Sequence, residues 1–324
     1  MAVRYLRMFD MTNDSHLFWT RARLEAHGAY PVERGRWRKG EEEWVPLYEG
    51  KMVQAFDHRA ASITVNPENV HHPAQSEAVS ELDHADPNFI AEPQFWLSVQ
   101  DIVKVGEQDS WCFGFKNVTA PTNMTTMIGG LIPNRAAGDS LPLLISEQKE
   151  FSILVTLGSA LNSIVCDFVI RSKVQGQNLN WLIVEQIPVP DASAYVRAVG
   201  STTAAAIVAD HVLRLTYTAW EMEPFARDMG YDGPPFRWDD DERRHLRARL
   251  DALYFHLYGV TDEEDVRYVL STFPILERKD REAHDGVYLT GELVVWYMRA
   301  LAAGDPDADA PVATIIRDAR RRAA

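Results

Sequence analysis

The sequence predicts an α+β protein in which strands and helices mix over residues 1–200 and helices dominate afterwards. Short apolar runs such as residues 111–115 (WCFGF) and 127–133 (MIGGLIP) are typical of strands. Apolar residues spaced three and four apart from Leu154 to Phe168 predict one amphipathic helix. Beyond Pro190 the composition changes to Ala-rich and Leu-rich stretches with helical spacing.

The first 60 residues predict a compact segment of mixed helix and strand. Residues 13–15 (NDS) form a polar cluster that is typical of a helix N-cap, and this helix is expected to run to about His27. A basic turn follows at residues 34–40. Residues 44–59 then predict a strand, a Gly turn and a second extended or helical piece.

The middle of the chain predicts strands separated by polar loops. Residues 61–92 are acidic and contain three prolines, which favours a solvated loop. Residues 95–105 alternate well enough for a strand or a short helix. After the helix around 154–168, a polar loop at 171–178 leads into the apolar segment 179–184.

The C-terminal part predicts helices with clear stop signals. Residues 203–222 and 243–258 are amphipathic, and Gly259 ends the second of these helices. A further helix opens at a capping box and ends near residue 273, and residues 289–302 form another. We therefore expect three regions: an α+β domain at 1–200, a helical region at 201–303 and a flexible tail at 304–324.

Charge and cysteine content limit the classes of function. The net charge of −14 argues against a general nucleic-acid coat protein, although residues 1–60 and 111–180 each carry a net charge of +1. The two cysteines show no metal-ligand spacing and predict buried reduced thiols. The sequence shows no secretory signal and no apolar run long enough to cross a membrane, so we expect a cytoplasmic protein.

The polar loops are the strongest candidates for a binding site. Asn and Gln can pair with adenine, whereas Arg and Lys bind guanine or phosphate. The alternative interpretation is that these are ordinary polar loops. The candidate DNA-binding residues are Lys51, Arg59, Lys116, Asn123, Arg135, Arg171, Lys173, Gln175, Gln177 and Asn178.

The sequence offers no catalytic centre and no regular metal site. Residues 57–59 (DHR) contain an acid beside a histidine but have no accompanying nucleophile, so a structural role or a phosphate contact by Arg59 is favoured. His71, His72 and His84 are metal-ligand types without regular spacing. Asp232 precedes Gly-Pro-Pro-Phe, in a segment that predicts a turn between helices.

Several motifs together resemble a known family. The motifs are residues 11–18 (MTNDSHLF), 46–52 (PLYEGKM), 56–59 (FDHR), 115–119 (FKNVT), 161–163 (LNS), 186–190 (QIPVP) and 215–220 (LTYTAW). In their order and spacing they resemble the C-terminal target-recognition region of type IIG-like bacterial adenine-specific DNA methyltransferases, from restriction–modification and phage-defence systems. The family has Arg where Lys116 stands, and its catalytic domain would lie upstream of Met1.

The resemblance implies sequence-specific recognition of double-stranded DNA without catalysis by this chain. S-adenosylmethionine would bind to the missing catalytic domain or to a separate methyltransferase subunit. Lys173→Ala would then weaken binding to all duplexes, and Gln175→Ala would blur one base position. Two alternatives stay open: a scaffold or remnant that binds a methyltransferase subunit through its helices, and an enzyme with a degenerate site at Asp57–His58 or Asp232.

Overall fold

The computed structural model describes residues 3–65, 74–103, 110–120, 122–133, 136–146, 151–174 and 176–323. It confirms the predicted α+β class, with mainly antiparallel sheets in the N-terminal part and a mostly helical C-terminal region. The strands are β1 (Val3–Leu6), β2 (Tyr30–Pro31), β3 (Trp37–Lys39), β4 (Glu42–Tyr48), β5 (Ala61–Val65), β6 (Ala74–Ala78), β7 (Trp96–Ser98), β8 (Trp111–Phe115), β9 (Gly129–Pro133), β10 (Ala136–Ala137), β11 (Leu143–Ser146), β12 (Ala198–Val199) and β13 (Thr202–Thr203).

The helices become longer and more frequent toward the C-terminus. They are α1 (Arg21–His27), α2 (Glu81–Ala85), α3 (Val99–Val103), α4 (Phe151–Leu161), α5 (Ile164–Lys173), α6 (Trp181–Val184), α7 (Ala192–Tyr195), α8 (Ala204–Thr216), α9 (Glu223–Asp228), α10 (Asp240–Leu257), α11 (Glu263–Ser271), α12 (Pro274–Ala283), α13 (Leu289–Ala302) and α14 (Val312–Ala323). Short 3₁₀ turns occur at Ser15–Leu17, Glu33–Gly35, Gly50–Met52 and Trp220–Met222.

The chain divides into two compact units that are not contiguous in sequence. The first unit comprises Met1–Val118, Ile128–Leu154 and Leu213–Trp238. The second comprises Thr119–Met127, Val155–Val212 and Asp239–Ala324. The boundaries predicted at residues 200 and 303 stay predictions.

Among its described residues, the first unit contains two larger sheets and the two-stranded β5–β6 sheet. One has the order β1-β11-β8-β9, and its β8–β9 hairpin pairs Trp111 with Pro133 and Phe115 with Gly129. The other has the order β10-β4-β3-β2, with β7 also paired to β4. Apolar side chains from both sheets are buried, and a separate cluster contains the indoles of Trp37, Trp44 and Trp96 around Leu24.

The second unit is a helical assembly. Helix α10 packs against α13, which also contacts α11, α12 and α14, while α5 contacts α10 and α11. Its buried core contains Val155, Leu161, Ile164, Ile170, Val208, Leu246, Leu250, Leu253, Leu293 and Val294. The stop predicted at Gly259 is confirmed: its φ of +77° is a left-handed conformation that favours glycine.

Two predictions near the N-terminus are wrong in detail. Helix α1 begins after Thr20, whose side chain accepts a hydrogen bond from the Arg23 amide, and not after residues 13–15. The segment predicted as a solvated loop contains the β5–β6 hairpin and α2. Strand β6 (AQSEA) is polar and mostly exposed, so polarity alone indicated a loop where an edge strand forms.

The predicted single helix through Leu154 and Phe168 is two helices, α4 and α5, bent by 67°. Ser163 starts the second helix, because its side chain accepts a hydrogen bond from the Cys166 amide. The helix predicted at 203–222 similarly ends at Thr216, and a 3₁₀ turn covers Trp220–Met222.

Two of the longer C-terminal helices were not expected from the sequence. Helix α12 follows Phe273 directly, with Pro274 at its first position, where proline is favoured. Helix α14 occupies most of the segment predicted as a flexible tail. Its Ile315 is buried, and Arg322 forms an ion pair with Glu292 at 2.5 Å. A buried apolar side chain and an ion pair therefore hold helix α14 against the protein.

Candidate nucleic-acid interface

Two polar loops that the sequence predicted separately lie next to each other in the second unit. The amide of Thr119 donates to the carbonyl oxygen of Gln177 at 3.0 Å. Arg171 Nη2 donates to the carbonyl oxygens of Asn123 and Met124 at 3.0 and 3.2 Å. These hydrogen bonds join residues 119–127 to the end of α5 and the segment after it. We call the described residues of 119–127 and 171–178, which leave out Pro121 and Gln175, the loop surface.

The buried carboxylate of Asp167 binds backbone amides of the loop surface. Its carboxylate is buried and accepts hydrogen bonds from the amides of Thr126, at 2.9 and 3.1 Å, and Met127, at 2.6 Å. Burial raises the pKa of Asp167, while these two amides and Arg171 lower it. Thr119 Oγ1 also donates to the Thr126 carbonyl oxygen at 2.6 Å. The loop is thus held at both ends.

The Arg171 side chain makes its contacts within the protein and supports the loop. Besides the two carbonyl contacts, its Nε donates to Thr126 Oγ1 at 3.2 Å and its Nη1 to the Thr272 carbonyl oxygen at 3.1 Å. The guanidinium also stacks 4.2 Å from the ring centroid of Phe273. Since all its nitrogens are engaged within the protein, Arg171 is a positioning residue for the loop surface.

The predicted recognition side chains lie on the outside of this surface. Asn123, Lys173, Gln177 and Asn178 are all exposed, and Met124 is exposed to 39%. The surface therefore offers amide donors and acceptors beside one ammonium group. Such groups suit base edges and a phosphate. Gln175 and Arg135 lie outside the described residues.

Arg59 occupies a different position from the one predicted. It is completely buried in the first unit, where its guanidinium donates to the carbonyl oxygens of His84, Asp86, Phe89 and Thr218 at 2.7 to 3.2 Å. No surface of Arg59 is left for a phosphate in this structure. The alternative weighed from the sequence, a structural role, fits these contacts.

Lys51 and Lys116 both belong to the first unit, where Gly50, the residue before Lys51, lies beside the Lys116 side chain. A Cβ atom added at Gly50 would lie 3.7 Å from Lys116 Cγ and 2.5 Å from the Ser140 carbonyl oxygen, so the chain needs glycine there. Lys51 Nζ is 3.2 Å from the buried carboxylate of Glu49. Burial lowers the pKa of Lys116. Both lysines are partly exposed, and their predicted contact with DNA stays a prediction.

The acid–histidine pair in residues 57–59 belongs to a buried polar network of the first unit. Asp57 Oδ2 lies 3.2 Å from His84 Nε2, and His58 Nε2 lies 3.1 Å from Glu221 Oε1. The ring of His84 stacks on Trp238 at 3.8 Å. Asp57, His58, His84 and Glu221 are at most 7% exposed, which fits internal cross-linking better than contact with a substrate.

Among the described residues, no three His, Cys, Asp or Glu side chains are arranged to hold a metal ion; His71 and His72 fall outside that part of the chain. Within the same described residues, no single helix has the length and apolar composition to cross a membrane, although the bent pair α4–α5 meets both criteria. Both cysteines are free and buried.

Sequence reasoning missed Asp167, the residue on which the loop surface depends. The signal was present, because one acidic residue interrupts the apolar run of residues 164–170. A carboxylate on an apolar helical face has to find donors when it is buried. Its partners, the amides of residues 126 and 127, are about 40 positions away and could not be identified from spacing.

The fold and the site together define an α+β protein with a polar, loop-built surface on its helical unit. No protein-family model, curated protein or solved structure matches the chain. The resemblance described above thus rests on the sequence motifs alone.

Proposed function

We propose that this chain is a sequence-specific DNA-recognition module of an adenine-specific DNA methyltransferase or restriction–modification system and does not itself catalyse methylation. The observation that carries the proposal is the loop surface, where a fixed backbone presents exposed Asn123, Gln177 and Asn178 beside Lys173. A fixed backbone matters because base discrimination needs donors and acceptors at defined positions.

The polar side chains of the loop surface would contact different parts of the DNA according to their chemistry. Lys173, exposed in the last turn of α5, would contact a phosphate and contribute to binding of any duplex. The amides of Asn123, Gln177 and Asn178 would contact base edges, where each good bidentate pair contributes about 1–3 kcal/mol of discrimination. Asp167 and Arg171 would act indirectly by holding the loop backbone.

Catalysis would belong to a partner subunit or to a further domain. Apart from short parallel pairs, the described strands are antiparallel, so they do not supply the parallel strand–loop–helix unit on which a dinucleotide-type or methyl-donor cofactor binds. The proposal therefore places S-adenosylmethionine on the partner. It contains no methyl-transfer step by this chain.

The experiment is selection of bound duplexes from a randomised pool by the purified chain, at low and near-physiological salt. We expect enrichment of a short motif. Lys173→Ala should weaken binding to enriched and random duplexes alike, by about three- to tenfold at low salt. Gln177→Ala should lower discrimination at one or two positions by about five- to one-hundred-fold while binding of random duplexes changes little.

Matched controls separate these effects from general changes in charge or stability. Lys279→Ala removes an exposed lysine of the same unit, on α12, and Gln100→Ala removes an exposed glutamine on α3. Neither control should alter binding or the enriched motif. Equal losses for Lys173→Ala and Lys279→Ala, or an unchanged motif with Gln177→Ala, would remove the loop surface from the proposal.

A second candidate function is a scaffold that binds a methyltransferase subunit through its helices without reading DNA. The observation that favours it is the net charge of −8 carried by residues 181–324, which repels a polyanion. Absence of duplex binding at low salt, together with a stable complex with a methyltransferase subunit, would favour the scaffold over the recognition module.

A further inference from the structure

The first unit contains a cavity that the proposed DNA surface does not use. It has a volume of about 340 Å³ and lies between α1, the β2–β3 hairpin and the segment leading into β7. That volume is at the small end of the range for small-molecule sites. The lining residues are Arg21, Glu25, Ala29, Tyr30, Pro31, Gly35, Arg36, Trp37, Glu92 and Trp96.

The inner wall of this cavity is rigid. Trp37 and Trp96 are almost completely buried, and their rings meet edge to face with centroids 6.1 Å apart. Trp96 Nε1 donates to the Gly35 carbonyl oxygen at 2.8 Å. Gly35 itself has a φ of +70° and would place a Cβ atom 3.1 Å from Ile90. The turn that closes the cavity is therefore fixed.

The cations of the cavity are already neutralised. Arg21 binds Glu92 through Nε at 3.0 Å and Nη2 at 2.5 Å, and Arg36 Nη1 binds Glu43 at 2.7 Å. The Arg21 guanidinium also lies 5.9 Å from the Trp37 ring centroid. An anionic ligand would find no unpaired arginine here, and Arg21 already lies over the aromatic ring of Trp37.

Glu25 and Tyr30 are the lining residues whose side chains are available to contact a ligand. Glu25 is exposed one helical turn after Arg21, and its carboxylate has no hydrogen bond or ion pair with any described residue. The ring of Tyr30 is 54% exposed. The cavity therefore offers an acceptor-only carboxylate, an exposed aromatic ring and the planar guanidinium of Arg21.

From these groups we propose that the cavity binds the guanine base of a free nucleoside. A neutral planar ring can stack on Tyr30 or on the guanidinium of Arg21, as unpaired bases do on such side chains. Guanine presents two adjacent N–H donors, N1–H and the 2-amino group, to one carboxylate. Adenine presents only its amino group beside acceptor nitrogens, which Glu25 would repel.

The test measures nucleoside binding to the full chain by equilibrium dialysis with guanosine, inosine and adenosine. Inosine is the matched probe, because it lacks only the 2-amino group of guanosine. We expect guanosine to bind at least five times more tightly than inosine, with adenosine weaker still. Glu25→Gln should weaken guanosine at least tenfold and reduce its advantage over inosine, because the glutamine amide keeps only one acceptor.

Controls make the outcome independent of folding and of the DNA proposal. Glu81→Gln changes an exposed acid of the same unit outside the cavity and should leave guanosine binding unchanged. Tyr30→Ala should weaken all three nucleosides, since it removes a stacking ring. Equal affinity for guanosine and inosine, no binding of either at 1 mM (about 4 kcal/mol of binding free energy), or equal behaviour of the two glutamate variants would overturn the proposal. Duplex binding by the loop surface is a separate measurement, and Lys173→Ala should not change guanosine binding.

Discussion

Arg59 joins distant segments of the chain within the buried polar network of the first unit. Its guanidinium joins carbonyl oxygens from residues 84–89 to the carbonyl of Thr218, positions about 130 residues apart. Burial lowers the pKa of Arg59, while Asp57, Glu221 and Asp86 act in the opposite direction. These neighbouring acids and carbonyl oxygens favour the charged form that donates to them.

We expect Arg59→Lys to lower the free energy of unfolding by about 2–5 kcal/mol. A lysine keeps the charge but cannot reach carbonyl oxygens in two directions, so several buried acceptors lose their donor. Urea denaturation followed by circular dichroism measures the change.

Arg227→Lys is the matched control. Arg227 is 64% exposed and pairs with Glu223 one helical turn away, so its replacement should change stability by less than about 0.5 kcal/mol. Similar stabilities for the two lysine variants would contradict the role assigned to the buried guanidinium.

Residue type alone could not distinguish Arg59 from a phosphate-binding arginine. The same planar group with five donors serves a phosphate outside the protein and backbone carbonyls inside it. The deciding fact is burial, which depends on residues 84–89 and 218 folding over the side chain. By contrast, Lys173 and Gln177 were predicted in one polar loop, and the structure exposes both of them, Gln177 in that loop and Lys173 in the last turn of α5.

At the level of elements, the start of α5 depends on a carboxylate from α10. Asp251 Oδ1 accepts a hydrogen bond from the Ile164 amide at 2.8 Å, beside the N-cap made by Ser163. Burial is the largest influence on Asp251 and raises its pKa to about 7. A buried acid at a helix N-terminus thus titrates near neutral pH.

This shift makes stability depend on pH in a defined direction. Between the ordinary pKa of Asp in the unfolded chain and about pH 7, the folded protein binds more protons at Asp251 than the unfolded chain does. Asp251 therefore lowers the free energy of unfolding as pH rises from about 4 to 7, by at most about 1.4 kcal/mol per pH unit. Asp251→Asn should remove this dependence and keep an acceptor for the Ile164 amide.

Urea denaturation at pH 5, 6 and 7 measures the effect. The stability difference between wild type and Asp251→Asn should shift in favour of the variant by about 1–3 kcal/mol from pH 5 to pH 7. Asp241→Asn, an exposed position in the first turn of the same helix, should follow the wild type. A pH-independent difference for Asp251→Asn would show that its carboxyl titrates normally.

Some helices and strands could be predicted from the local sequence, and others could not. Strands β8 and β9 and helices α10 and α13 were predictable, because apolar spacing and stop signals agree with the fold. The α4–α5 break was missed because the apolar stripe continues across it on both helices. The β5–β6 hairpin was missed because its second strand is polar and pairs only along one edge.

At the scale of the whole molecule, the loop surface could be predicted only in part. The two polar loops were found from composition, but their proximity depends on hydrogen bonds between residues about 45 to 60 positions apart. Such pairings follow from tertiary packing and leave no local periodicity. The cavity near Tyr30 was likewise not predicted, since its walls come from three separate segments.

Whole-molecule charge sets the strength of any contact with DNA. Arg59 and Arg171 are used inside the protein, Lys51 is paired with Glu49, and the net charge is −14. We therefore expect few phosphate contacts and a shallow salt dependence. The logarithm of the binding constant for a duplex should fall against the logarithm of salt concentration with a slope of about −1 to −3.

Fluorescence anisotropy with one labelled duplex over a range of salt concentrations measures this slope. Lys173→Ala should make the slope less steep by about one unit, because one neutralised phosphate contributes about −0.9, whereas Lys279→Ala should leave it unchanged. A wild-type slope near −8 would contradict the expectation of few phosphate contacts, since it requires many exposed cations on the DNA. A shallow slope combined with an enriched motif would mean that base edges, and not phosphates, supply most of the affinity that this chain has by itself.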